Sequence, residues 1–305
     1  MAVLEANGLT KVYPGHAGPV HALSGVDLSI GKQQLFAFLG RNGAGKTTFI
    51  KIAATLLVPT EGSIQLFGHD VSRTPNRVRP LIGLVPQEGK PFYHLTPREH
   101  VVEYLRVRGA SKESAESAAD ETLEAMGLTP FAGEVAYRLS GGLQQRTLVA
   151  MVLATGAPFL FLDEPTLGMD PFARRQVWAV IQRVVARGST VLLTTHYMDE
   201  AEQLSSELAV IEAGKLLYRG TAEALKSTIG REVRVELSGG FTASELESFG
   251  KVISQRGRLT LLTAKRYVTE LTERALQRQV AVTVGPVTLE EAFLELVGKG
   301  IEEES

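Results

Sequence analysis

The chain has 305 residues, 44% of them hydrophobic, with 32 basic against 34 acidic side chains and a net charge of -2. At a soft scale of about 150 residues per domain, two units are expected, and the near-balance of charge excludes a bulk field that would gather nucleic acid or an anionic membrane. The absence of cysteine excludes disulfides, thiolate nucleophiles and cysteine-based zinc sites, and is in keeping with a reducing compartment.

The first five residues have neither a basic segment nor a long apolar run, so they do not read as a signal peptide. Residues 4–13, 20–30 and 64–67 are short, alternating and broken by Gly or Asp, which predicts a small antiparallel sheet. Residues 33–39 form a continuous apolar run, the pattern of a strand buried on both faces.

That run leads into Gly40-Arg41-Asn42-Gly43-Ala44-Gly45-Lys46-Thr47, followed by an amphipathic stretch from Thr48. Strand, GxxxxGK[ST] loop and helix make a P-loop, in which backbone N–H groups turn inward around phosphate oxygens. The helix start adds its dipole, Lys46 brings a point charge, and Thr47 is placed to ligate Mg²⁺.

A strand over residues 81–85 precedes Gln87. Residues 95–125 turn helical, opened by Thr96 as N-cap, Pro97 in the first turn and Glu99 at N3. Leu139-Ser140-Gly141-Gly142 precedes a long apolar helix, so that Ser140 can cap it while the glycines leave backbone donors exposed.

The longest uncharged stretch, residues 147–162, is interrupted by Gly156 and Pro158, whereas a spanning helix needs about 20 apolar residues. Any membrane-spanning part is therefore expected in another chain. Within that region residues 159–162 form a second apolar strand, ending in Asp163 and Glu164. Asp163 suits a Mg²⁺ shell, and Glu164 can orient or deprotonate water.

Residues 172–186 predict a helix with Val177, Val180, Ile181 and Val184 on one face. A third apolar strand over residues 190–195 delivers His196 to the same sheet edge, since ligands of open parallel sheets sit beyond the carboxyl ends of the strands. After Gly230 the alternation of Val233, Val235 and Leu237, two polar helical patterns and a Thr288 to Glu291 capping box predict a small α/β appendage. The fold class expected is α/β: a P-loop core with a mainly parallel sheet, a small antiparallel β subdomain, a helical insertion and a small C-terminal α/β domain.

Taken in order, Tyr13, GRNGAGKTT from Gly40, Gln87, LSGGLQQR from Leu139, FLFLDEPT from Phe159, GMDP from Gly168 and His196 resemble the nucleotide-binding subunit of ATP-binding cassette (ABC) transporters. The resemblance spans residues 1–228, with a helical subdomain over about residues 92–150, and leaves residues 231–305 as an accessory domain.

It implies binding of ATP by Tyr13 against adenine and by Gly40, Asn42, Gly43, Ala44, Gly45, Lys46, Thr47 and Thr48 around the phosphates. Mg²⁺ would rest on Thr47, Gln87 and Asp163. Catalysis would fall to Glu164 as general base, with His196, Lys46 and Gln87. Ser140, Gly141 and Gly142 would complete the site of a second copy, and Asp170 would link the two sites.

GMDPFARRQVW, LLTTHYMDEAEQL and the ending VTLEEAFLELVGKG resemble drug-resistance and sodium-efflux exporter ATPases. This implies a homodimer, or a pairing with another ABC ATPase, on the inner face of the cell membrane and bound to a separate integral permease. Two departures are Leu143, where the family commonly has glutamine, and the extra residues 14–19 after Tyr13.

A soluble ABC ATPase acting on nucleic acid or ribosomes is the alternative, but such proteins usually carry a long coiled coil or two cassettes, and neither is present. A P-loop GTPase would need NKxD, and the asparagines are Asn7, Asn42 and Asn76 only.

Overall fold

The computed structural model describes residues 2–15, 18–255 and 258–302. The chain divides into two compact units, Met1–Arg219 and Gly220–Ser305. In chain order the first contains β1 (Ala2–Tyr13), β2 (Val20–Gly31), β3 (Leu35–Leu39), α1 (Lys46–Ala53), β4 (Glu61–Leu66) and β5 (His69–Asp70). There follow α2 (Pro75–Val78), β6 (Ile82–Val85), α3 (Pro97–Val107), α4 (Lys112–Ala125), α5 (Gly141–Leu153) and β7 (Phe159–Asp163). Next come α6 (Pro171–Ala186), β8 (Thr190–Thr195), α7 (Met198–Leu204), β9 (Glu207–Glu212) and β10 (Lys215–Gly220).

The main sheet has the order β10-β9-β3-β8-β7-β6, and the pairs β9/β3, β3/β8, β8/β7 and β7/β6 are all parallel. Every residue of β3, β7 and β8 is buried, which is why their sequences run apolar without alternation. A second sheet, β2-β1-β4-β5, is antiparallel throughout. Phe36, Phe38, Phe159 and Phe161 from the parallel sheet share one core with Phe49 of α1 and with Leu4, Leu9 and Ile30 of the antiparallel sheet. Each such ring contributes about 2 to 3 kcal/mol by leaving water.

The opposite face of the sheet buries Leu160, Leu162, Val191 and Leu193 against α5 and α6. The predicted stripe on α6 is realised, with Val177, Val180, Ile181 and Val184 buried and Trp178 beside them. Helices α3 and α4 build the helical region, and α3 opens with the expected capping box from Thr96 and Glu99. Among the described residues no helix is long and apolar enough to cross a membrane.

The second unit contains α8 (Ala222–Ser227), β11 (Val233–Leu237), α9 (Ala243–Leu246), β12 (Gly250–Gln255), β13 (Arg258–Thr263), α10 (Val268–Gln277), β14 (Val282–Pro286) and α11 (Leu289–Glu302). Its antiparallel sheet has the order β12-β13-β11-β14, and Val233, Val235, Leu237 and Leu261 pack against Leu271 and Ala275 of α10. Thr288 and Glu291 bond reciprocally at the start of α11. The boundary lies at Arg219/Gly220 instead of the expected 228 to 231, because α8 groups with the residues after it.

Strand β3 begins at Leu35, two residues later than the apolar run, because Gln33 has φ 55° and leaves extended geometry.

Candidate functional site

The parallel strands bring their carboxyl ends to one edge. Leu39 lies opposite Thr195, Asp163 opposite Thr194, and Val85 opposite Leu162. Just past those ends come Gly40, His196, Glu164 and Gln87. A cleft of about 160 Å³ opens there, lined by residues 42–48 together with Ala22, Gln87 and Glu164.

The loop into α1 is shaped by glycine. Gly45 has φ 111°, and a Cβ on it would come within 2.4 Å of the Ala22 carbonyl oxygen, so no other residue fits. No side chain caps α1, whose first residue is Lys46. An uncapped helix start of this kind carries partial positive charge and aims N–H groups outward, which favours an anion.

Lys46 is nearly buried, and its Nζ donates to the carbonyl oxygens of Gly40 at 2.8 Å and Arg41 at 3.1 Å. Burial pushes its pKa down, against the pull of Glu164, Asp163 and Glu212. The Thr47 hydroxyl donates to Gln87 Oε1 at 3.1 Å, which joins the loop to the residue after β6.

Asp163 is 2% exposed and accepts a short hydrogen bond from the Thr194 hydroxyl. That same hydroxyl, and the Thr194 carbonyl, each accept from the Glu164 N–H at 3.1 Å. Glu164 is thereby held at φ 51°, a left-handed conformation that costs a non-glycine residue about 1 to 2 kcal/mol. Such local strain is characteristic of functional positions.

Its carboxylate Oε2 lies 3.0 Å from His196 Nδ1. A carboxylate oxygen accepts, so Nδ1 is the donor in this contact. The His196 ring rests against Tyr197, with centroids 4.2 Å apart. Sequence reasoning missed Thr194, because a threonine inside an apolar run reads only as a good strand former.

Ser140, Gly141, Gly142 and Asp170 are not brought to this cleft. They line another, of about 530 Å³, with Arg146 and residues 167–169. Ser140 caps α5 by accepting from Leu143 N–H at 3.4 Å, and Asp170 caps α6 by accepting from Phe172 and Ala173 N–H at 2.9 Å. The Ala173 bond leads in holding the Asp170 carboxyl below the usual carboxylate range.

Leu143 carries no polar group into this cleft, but Gln144 next to it donates to the carbonyls of Ala136 and Leu139. Tyr13 does not line the first cleft. It ends β1 opposite Val20 with the Lys11 ammonium 5.4 Å from its ring, while Ala22 of β2 reaches the loop instead. Of the extra residues 14–19, His16 and Ala17 lie outside the described residues.

A glycine-lined anion cradle, a buried lysine and a carboxylate pair at the end of parallel strands define a nucleotide-binding, phosphate-cleaving P-loop ATPase. A model of the ABC transporter family matches residues 23–167, from within β2 to just past Glu164. The daunorubicin/doxorubicin resistance ATP-binding protein DrrA of Streptomyces peucetius is 36% identical over 99% of this chain and 94% of its own length.

The retinal-specific phospholipid-transporting ATPase ABCA4 of Homo sapiens is 37% identical over 73% of this chain, which corresponds to 10% of that much longer protein. Among solved structures, a dimeric ATP-binding cassette in a post-hydrolysis state with ADP and Pi aligns with a TM-score of 0.67 and 26% identity, over 72% of this chain and 98% of its own. The chain belongs to the ABC transporter family, as an ATP-binding and ATP-hydrolysing member.

Proposed function

We propose that this chain is the ATPase subunit of an exporter, closing as a dimer over two ATP molecules and driving a separate integral permease from the cytoplasmic face of the membrane. The observation that carries it is the Glu164 to His196 pair, 3.0 Å apart and next to the Lys46 cradle. Glu164 takes a proton from the attacking water, and His196, oriented through Nδ1, presents Nε2 toward the terminal phosphate. Lys46 balances phosphate charge, with its ammonium already directed by two carbonyls.

Thr47, Gln87 and Asp163 supply oxygen ligands only, a donor set that fits Mg²⁺. Bound there, the ion would neutralise charge on the phosphate oxygens. The backbone donors at Ser140, Gly141 and Gly142 serve the nucleotide held by the second copy, and the Asp170 loop runs beside them. Dimeric cassettes among the similar structures support this pairing. Tyr13, at the end of β1, takes the adenine in this reading.

The exporter reading is supported by likeness to the DrrA resistance proteins along nearly the whole chain. For the permease, the proposed anchors are Phe92 and Tyr93, which are 76% and 52% exposed. Their loop is braced from beneath: the Phe92 N–H donates to His100 Nε2 at 2.7 Å, and the two rings stack.

The test is the Glu164→Gln variant, expected to hydrolyse ATP roughly 10² to 10⁴ times more slowly while still binding ATP and holding a dimer on a sizing column. Near-normal turnover would remove the base assignment. Copurification with a membrane protein, lost in the Phe92→Ala, Tyr93→Ala variant, tests the docking assignment; unchanged copurification overturns it.

A further inference from the structure

Glu200 stands on α7, outside the lining of either cleft, yet its side chain is completely buried. Its Oε1 accepts two hydrogen bonds, from the Thr166 hydroxyl at 2.9 Å and from Trp178 Nε1 at 2.7 Å. Its Oε2 is buried without a hydrogen-bond partner. Burial raises the carboxyl pKa, against the opposing effect of the Thr195, Trp178 and Thr166 side chains. An apolar residue here would leave the Thr166 hydroxyl and the Trp178 indole N–H buried without an acceptor, so the carboxyl is the group that holds these two elements together.

What it touches gives the reason. Thr166 is two residues past Glu164, and its carbonyl accepts from Met169 N–H at 3.2 Å in the loop that ends at Asp170. Trp178 lies in α6, which Asp170 caps. Thr195 immediately precedes His196, and its hydroxyl accepts from Tyr197 N–H at 3.0 Å. Two hydrogen bonds to one buried side chain thus join the loop between Glu164 and Asp170 to the helix after that loop, beside the Thr195 side chain of the strand end that carries His196.

We propose that Glu200 is a positioning residue for hydrolysis: it ties the Glu164 to Asp170 loop to α6, next to the strand end that carries His196, and so holds base and histidine in register. The proposal rests on the reading of Glu164 as the base. Trp178 is the single tryptophan of the chain, and its indole N–H ends on the same carboxyl oxygen as Thr166, so its fluorescence reports on the tie directly.

The experiment uses the full chain with Thr166→Val, Glu200→Gln and Glu200→Leu, each compared with Glu164→Gln. Thr166→Val and Glu200→Leu are expected to lower kcat about tenfold with the KM for ATP within about twofold, the signature of lost geometry in the transition state and not of lost binding. Glu200→Gln keeps an acceptor oxygen for both donors and is expected to recover kcat to within about threefold of the unaltered chain.

In a Glu164→Gln background, MgATP should change Trp178 emission, and adding Thr166→Val should abolish that response. Unchanged kcat in Thr166→Val beside an inactive Glu164→Gln overturns the proposal, as does a Trp178 response that survives Thr166→Val. Normal turnover in Glu164→Gln overturns the base assignment instead, and the emission arm still decides whether Glu200 ties the loop. If Glu200→Leu fails to fold, Thr166→Val and Glu200→Gln carry the decision.

Discussion

In the cleft around Lys46 the polar side chains engage one another or nearby carbonyls, whereas in the cleft around Ser140 they engage the backbone of the helices they start. Lys46 donates to Gly40 and Arg41, Thr47 to Gln87, Thr194 to Asp163, and His196 meets Glu164. Ser140 and Asp170 are N-caps, and the half-buried Arg146 donates to the Met126 carbonyl and Gln176. The first cleft is therefore a preorganised set of charges that can do chemistry, while the second offers backbone donors and shape. In the proposed dimer the backbone donors of one copy would meet the charges of the other.

Lys46→Ala should break the comparison hardest. Removing the only buried ammonium of the cradle is expected to weaken ATP binding on the order of a hundredfold, about 2.8 kcal/mol, as measured by calorimetry. Unchanged affinity would mean that the backbone donors alone hold the phosphates.

A mixing experiment separates the clefts. Gly142→Val places a side chain against the Gly168 carbonyl, 3.3 Å from the position of its Cβ, and leaves the Lys46 cradle intact. Chains with Gly142→Val and chains with Lys46→Ala are each expected to hydrolyse poorly, but an equimolar mixture should regain measurable turnover from dimers with one intact composite site. Strictly additive rates would show that each chain works alone.

The smallest expected effect lies in the second unit. Arg278 donates to Glu245 at 2.9 Å and, with the Thr242 bonds, lowers the Glu245 pKa from 4.5 to about 2. A carboxylate with a depressed folded pKa stabilises above its unfolded value, so this contribution is present above pH about 4.5 and lost as pH falls toward about 2. Both groups are exposed, which keeps the effect small. Arg278→Ala should melt slightly lower at pH 7 than the unaltered chain, with the gap closing across that acid window. A gap that persists at pH 2 would assign it to packing of Arg278 over Phe241, 4.4 Å away, and not to charge.

Contiguous chemistry was legible in the chain. The loop from Gly40 to Thr47 announces itself because phosphate binding needs successive backbone groups, and the pair Asp163 and Glu164 takes its meaning from that loop. Gln87 and His196 could be placed at the same edge because parallel strands present their carboxyl ends together. Adjacency along β1 and β2 does not say which residue of the hairpin faces the loop, and in the structure Ala22 lines the cleft. Which unit α8 groups with was not legible, because its partners in the second unit lie far along the chain.

The residue order by itself determined the buried strands, the helix caps, the phosphate cradle and the acids, since these depend on local spacing, glycine geometry and side-chain chemistry. Only the tertiary structure decided the strand order that sets Asp163 beside Thr194, the left-handed turn of Glu164, and the convergence of Thr166 and Trp178 on Glu200. These are contacts between residues 22 to 34 positions apart, and hydrogen bonds over such distances have no period or motif; they exist only once the hydrophobic core has brought the strands and helices together.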